Sequence, residues 1–255
     1  MRKLGIIVLL VGLVGCAHKE PLTAELYKGQ DAAQIFKKGE TALVKADYPE
    51  AIRHFEALDA LYPFSEFEEQ AQRDIIYAYY KSPDYASAGA AAVRYIHLYP
   101  RSKHVDYAYY MKGMSNFNQD RGLIQRYVDV DLSKRDPGMS KQAFADFSEL
   151  IRRFPESPYA PDARNRMVYL RNLLAQQELN AAEFYFQQGS YVAAINRVNY
   201  ILSSYQRAPQ VIPGLGIMVR SYRALGLNRL ADQTMSILAL NFADSEVYQK
   251  LVKGK

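Results

Sequence analysis

Chemistry in this chain of 255 residues would have to come from few side chains. It has four histidines, His18, His54, His97 and His104, and a single cysteine, Cys16. The histidines stand at no metal-ligand spacing, and their helical context reads as surface or core imidazoles. One cysteine permits no intramolecular disulfide. No Gly-x-Ser-x-Gly elbow, phosphate-binding loop or zincin pattern occurs. Pro213-Gly214-Leu215-Gly216 follows no strand pattern and reads as a loop, not a nucleotide fingerprint. Carboxylates are plentiful, but none forms an evident acid–base pair. The sequence therefore argues against an enzyme and calls for no cofactor and no metal. What remains is recognition. There are 21 tyrosines and no tryptophan, and tyrosine combines a large apolar body with one polar edge.

The elements that position these side chains announce themselves by repetition. Asp47-Tyr48-Pro49 opens an amphipathic run with Ala51, Phe55 and Leu58 on one face, and Tyr62-Pro63-Phe64-Ser65 ends it. Ser65 is expected to N-cap the next helix. The phrase returns 37 residues on as Asp84, Ala88, Ala92 and Tyr99-Pro100-Arg101-Ser102. It returns again as Ala143, Phe147, Leu150 and Phe154-Pro155-Glu156-Ser157. A fourth copy, Ala194, Val198, Ile201 and Tyr205, has Gln206 in place of the proline, and a fifth runs from Ala231 to Ser245. Two short helices repeating at this period predict an all-α tetratricopeptide-repeat solenoid of about five helix-turn-helix units. The alanines mark close helix crossings, and Phe55 and Phe147 are expected to fill the space toward the neighbouring repeat. Gly39, twelve residues before Ala51, is the small position of the first helix, and Ile76 and Gly113 occupy the matching sites.

In such an array the first helix of each repeat lines the binding face. Counted from Gly39, that face carries Phe36 in repeat 1, Arg73, Tyr77 and Tyr80 in repeat 2, and Tyr107, Tyr110 and Phe117 in repeat 3. The set predicts an aromatic groove with one embedded cation, suited to an extended peptide with aromatic side chains and a carboxylate. Packing between helices accounts for any one of these aromatics taken alone. Gln176, Leu179, Glu183, Phe186, Arg220 and Arg223 give repeats 4 and 5 a different face, so the two halves are expected to bind different things.

The spacing breaks between residues 119 and 136, an insertion whose apolar Leu123, Ile124, Tyr127 and Val130 predict partial ordering against the body. No proline or glycine lies between Asp162 and Gln188, which predicts one helix of roughly twenty-eight residues. It would join residues 29–157, repeats 1–3, to the 158–255 half with repeats 4 and 5. Residues 246–253 are left as a short cap or a frayed tail.

Residues 1–15 read as a targeting segment. Arg2-Lys3 precedes an apolar Gly5–Val14 stretch too short to span a bilayer. Leu13-Val14-Gly15-Cys16 resembles a bacterial lipobox, in which Cys16 would become the lipidated first residue. Residues 16–28 would then be a lipidated tether, holding the protein to a membrane without crossing it. Ala17 after the cysteine implies the outer membrane by similarity to known sorting. The formal net charge of +5 falls to 5 − 2 = +3 without Arg2 and Lys3. With no basic run that could track phosphates, nucleic acid is an improbable partner.

Several stretches are more particular than the generic repeat. These are Leu58-Asp59 with Tyr62-Pro63-Phe64, Asp74 to Lys81, Asp106-Tyr107 with Tyr110-Met111, Arg135-Asp136-Pro137, Asp146-Phe147-Ser148 and Asn196-Arg197-Val198. With them the chain resembles the tetratricopeptide lipoproteins of the outer-membrane β-barrel assembly machinery. The resemblance covers essentially all of the mature chain. It implies a lipid-anchored periplasmic scaffold that helps recognise, insert and fold β-barrel proteins. It further implies that the N-terminal repeats receive the aromatic C-termini of unfolded barrel proteins. The C-terminal repeats would dock the last periplasmic domain of the barrel-forming subunit, with Arg197 in an ion pair, and would contact other assembly lipoproteins. The tail after Asn241 and the Pro213–Gly216 stretch depart from the better-known members. The competing reading is a periplasmic tetratricopeptide lipoprotein that scaffolds cell-wall or division machinery.

Overall fold

The computed structural model describes residues 25–121, 133 and 135–254. Cys16 and most of the 119–136 insertion, Leu123, Ile124, Tyr127 and Val130 included, lie outside them. Among the described residues are eleven helices and no strand. Helices α1 (Ala32–Val44) and α2 (Tyr48–Leu61) form the first hairpin, α3 (Glu68–Lys81) and α4 (Tyr85–Leu98) the second. Helices α5 (Val105–Arg121) and α6 (Gly138–Arg153) flank the insertion, and α7 (Ala160–Gln187) with α8 (Tyr191–Ser204) follows. Helices α9 (Val211–Ala224), α10 (Asn228–Phe242) and the short α11 (Glu246–Val252) end the chain. Two compact units divide between Ala71 and Gln72.

Local chemistry explains the helix boundaries. Asp31 caps α1 through a capping box: its carboxylate accepts from Gln34 N, and the Gln34 side chain accepts from Asp31 N. Asp47 and Asp84 cap α2 and α4 through the carboxylate alone, accepting from Glu50 N and Ser87 N. The repeated phrase is one backbone device. Tyr62, Tyr99, Phe154 and Tyr205 each end a second helix with φ between −125° and −135°, and each N–H reaches the carbonyl four residues back at 2.8 Å. The residue three positions on then donates its N–H to that terminal residue's carbonyl at 2.9–3.1 Å, in the copy without proline as well.

Ser65 is not the helix N-cap expected of it, and Ser102 and Ser157 stand at the same place in their copies. Each precedes the next helix by three residues, inside the turn. Ser102 Oγ accepts from His104 N and Ser157 Oγ from Tyr159 N, so the hydroxyl serves the turn instead. Only Ser245 in the fifth copy caps a helix directly, accepting from Tyr248 N at the start of α11.

The helix crossings show why the first-helix position is loose in sequence. Ala51, Ala88, Ala143, Ala194 and Ala231 are all buried. The ring of Phe55 lies over Gly39 of its own repeat, where an added Cβ would collide with it. Phe147 lies over Gly113 likewise, with 2.7 Å between its ring and a Cβ placed there. The phenylalanines thus pack inward against their own first helix, and Phe147 also shares a core with Ala163 and Leu170 of the helix that follows. Repeat 2 reverses the volumes: Ile76 supplies the bulk and Ala92 the space, both fully buried in one core. Total volume is kept while its owner changes.

Helix α7 has the twenty-eight residues expected. Its first half contributes Ala163 and Leu170 to a core with Tyr109, Phe147 and Leu150. Its second half contributes Leu174, Leu179 and Ala182 to another core with Val198, Leu215 and Leu238. One continuous helix therefore serves two hydrophobic cores. Pro213-Gly214-Leu215-Gly216, expected as a loop, lies within α9. Pro213 sits in the first turn, where a missing N–H breaks no helical bond. The glycines admit neighbours: Val198 lies 3.3 Å from a Cβ at Gly214, and Val247 of α11 lies 2.6 Å from one at Gly216. With Leu251 buried, α11 is a packed cap. The described end of the insertion also meets the body, as Asn180 donates to Ser133 Oγ at 2.8 Å and Gln177 to the Arg135 carbonyl at 3.1 Å.

Candidate peptide-binding face and docking site

Within the second unit, helix α5 brings together residues from α3 and from the start of α7. Asn118 of α5 donates to Tyr80 Oη of α3 at 2.8 Å. On the other side the Tyr110 ring stacks on Tyr159 at 4.8 Å with 17° between planes, and Tyr107 meets the same ring at 5.8 Å. Tyr110 Oη donates to Asp162 Oδ2 at 2.7 Å, and Arg166 Nε donates to the same oxygen at 2.5 Å. Ser157 Oγ donates to Asp106 Oδ2 at 2.7 Å and fixes the turn that carries Tyr159. A tyrosine cluster thus runs across three elements on a rigid polar frame.

The electrostatics follow from partial burial. Burial, and then the hydrogen bond to Asp162, push the Tyr110 hydroxyl up to about 12. Burial likewise raises Tyr107, Tyr159 and Tyr80. These phenols stay protonated; the Tyr110 O–H is given to Asp162, and those of Tyr107 and Tyr159 can donate elsewhere. Burial also acts to raise Asp162, but hydrogen bonds from Arg166 and Tyr110 outweigh it and hold that carboxyl below its ordinary value.

Two of the expected lining residues do not line a groove. Phe36 is buried in the first unit, stacked on Phe67 at 5.1 Å and tilted against Phe55 at 5.8 Å. Phe117 is buried between Phe147 and Tyr169, with the Arg166 guanidinium 4.9 Å above its ring. Both are core rings because a large neighbour covers the face that the repeat register would expose. Tyr77 is 40% exposed with Lys81 Nζ 5.6 Å from its ring, and Tyr80, Tyr107 and Tyr110 are partly buried. Arg73 is also partly buried, and its Nε makes no hydrogen bond.

The sequence register overlooked Tyr159, Asp162, Arg166 and Tyr169. The signal was present. The face position that lies five residues after Ser65, Gln70, corresponds to Asp162 counted from Ser157, and Tyr77 corresponds to Tyr169. The long helix carries two first-helix registers, one in each half, and only the later was counted.

Arg197 stands on the other half. Its Nη1 donates to Glu178 Oε2 of α7 at 3.1 Å, and its guanidinium lies 5.8 Å from the Tyr185 ring centre. The Arg197 side chain is 45% exposed and Glu178 only 13%. The partner seen for Arg197 is thus internal, with one side of the guanidinium open to solvent. Nearby, Gln210 donates to Gln176 at 3.1 Å, and the Arg220 guanidinium caps the Phe186 ring at 4.6 Å. Leu179, expected on this face, is buried. Among the described residues no group of histidines, cysteines and carboxylates could hold a metal, and no helix is long and apolar enough to cross a membrane.

Comparison with known proteins gives these surfaces a context. Residues 28–237 match the model of the YfiO family, described as outer membrane lipoprotein. The outer membrane protein assembly factor BamD of Vibrio cholerae is 36% identical over 229 residues, 90% of this chain and 93% of that protein. The protein of the same name from Neisseria meningitidis serogroup A is 35% identical over 248 residues, 96% of this chain and 93% of its own length. That of Haemophilus influenzae is 36% identical over 208 residues, 82% of this chain and 79% of its own. On the family match and on identity sustained over nearly the whole length, the chain belongs to the YfiO family of outer membrane lipoproteins.

Proposed function

We propose that the chain is a non-enzymatic outer membrane protein assembly factor, anchored by lipid on Cys16 at the periplasmic face of the outer membrane. The relatives' shared name, outer membrane protein assembly factor, supports the process. The observation that carries the mechanism is the tyrosine face on α3, α5 and the start of α7. Tyr77, Tyr107, Tyr110 and Tyr159 offer apolar rings, and all but Tyr110 a phenolic donor, without loose backbone, which suits an extended peptide that must be held and released. The ligand in this reading is the aromatic C-terminal segment of an unfolded β-barrel protein. The second surface, around Arg197 and Glu178, is the dock for the last periplasmic domain of the barrel-forming subunit. A docking acid would compete with Glu178 for the exposed side of Arg197. Other assembly lipoproteins would attach toward the last repeat.

The test is gentle detergent extraction with a tag after Lys255, followed by identification of what co-purifies. A stoichiometric β-barrel protein with repeated periplasmic domains is the expected result. Recovery of wall-associated or division proteins in its place would overturn the reading.

A further inference from the structure

The tyrosine face carries two cations in different states. Arg166 is committed, bonded to Asp162 at 2.5 Å and laid over Phe117. Arg73 is not. Its Nε is buried and makes no hydrogen bond. A buried guanidinium nitrogen left without an acceptor is costly and calls for one, be it water, ion or ligand. Arg73 lies one helical turn before Tyr77 on α3, and its charge is close enough to Tyr107 and Tyr159 to lower their hydroxyl pKa values against burial. The nearby carboxylates are already engaged. Asp106 accepts from Ser157 Oγ and Tyr107 N, and Asp74, which bears on Tyr107, has contacts of its own.

From the unsatisfied Arg73 nitrogen beside Tyr77, Tyr107 and Tyr159, we infer that this corner is a carboxylate subsite which takes the free α-carboxylate at the end of the bound peptide. The inference rests on the peptide-binding reading of the face and adds to it a direction and a selection rule. The guanidinium supplies the charge-assisted donors. The Tyr107 and Tyr159 phenols, raised by burial, can donate to the second carboxylate oxygen. Their ring faces take the last side chain. A segment from the middle of a chain has no such carboxylate, so the subsite would separate a finished C-terminus from internal sequence of the same composition.

The experiment uses the full mature chain with Cys16→Ser and a fluorescein-labelled decapeptide. The peptide alternates polar and apolar residues, ends in phenylalanine, and is made once as the free acid and once as the C-terminal amide. Fluorescence anisotropy should show the acid binding about tenfold or more tighter than the amide. In Arg73→Gln the acid should fall to the affinity of the amide, with the amide unchanged. Arg73→Lys should keep part of the preference, as a point charge without the fork. Thermal melting serves as the folding control, and Arg73→Gln should melt close to wild type, since the Nε it removes has no acceptor. Equal affinity of acid and amide in the wild type would overturn the subsite and leave the peptide face standing. An equal loss for both peptides in Arg73→Gln would reduce Arg73 to a structural residue. Failure of both peptides to bind the wild type would overturn the peptide-binding face itself.

Discussion

The two halves of helix α7 make opposite use of one continuous backbone. The first half, with the turn before it, supplies Tyr159, Asp162, Arg166 and Tyr169 to a face of stacked rings and shared hydrogen bonds with α5. The second half supplies Gln176, Glu178 and Glu183 to a polar face whose rings, Tyr185 and Phe186, lie against the arginines of α8 and α9. Each half buries its apolar stripe in a separate core. Function on such a helix can differ between halves because each core fixes its own set of exposed residues. The unbroken helix holds the two sets at a constant distance along its axis, 1.5 Å per residue.

The strongest way to break this comparison is to damage one core alone. Phe147→Ala empties the space over Gly113 and should cost about 3–5 kcal/mol in denaturant unfolding. Hydrogen exchange should rise in α5 and α6 and leave α8 to α10 protected. Equal loss of protection across all five helices would mean that the halves form one cooperative unit. The double substitution Gly113→Ile with Phe147→Ala copies the volume arrangement of Ile76 and Ala92, and should recover part of the loss.

Arg197→Glu comes next in size. It places two acids together at Glu178 and should weaken retention of the barrel-forming subunit roughly tenfold or more, read by co-purification. Peptide anisotropy at the tyrosine face should not change. Its effect on stability, read by denaturant unfolding, should be a loss of about 1–3 kcal/mol, because Glu178 is only 13% exposed and would face a second acid.

The smallest effect sharpens the account of the first half. The folded-state pKa of Asp162 is depressed below the ordinary 3.8. Its stabilising contribution is therefore complete above that ordinary value and is lost as pH falls through the lower, folded-state value. Asp162→Asn should unfold with a flatter pH dependence between about pH 5 and 2. At neutral pH it should lose no more than about 1 kcal/mol, since half of the side chain faces water.

Much of this architecture was legible in the residues themselves. Asp31, Asp47 and Asp84 cap helices as their side chains dictate. The buried alanines mark the crossings, and the lack of proline or glycine between Asp162 and Gln188 leaves α7 no place to break. What stayed hidden depended on partners remote in sequence. Phe36 and Phe117 occupy face positions by register, but Phe67 in one case and Arg166 with Tyr169 in the other cover them. The exchange of bulk between Ile76 and Ala92 looks like a weakened repeat until the two helices are seen in contact. Pro213 reads as a break because a first-turn proline differs from a mid-helix one only in where the helix begins. Arg73 was singled out as a cation among aromatics, but its unsatisfied nitrogen appears only in three dimensions.

The most direct test of two separate binding faces is paired photo-crosslinking in cells, with a benzophenone amino acid at Tyr77 in one strain and at Arg197 in another. The account predicts that Tyr77 captures C-terminal segments of unfolded barrel proteins, while Arg197 captures the barrel-forming subunit. Capture of one and the same protein from both positions, or of barrel segments from Arg197 alone, would contradict it.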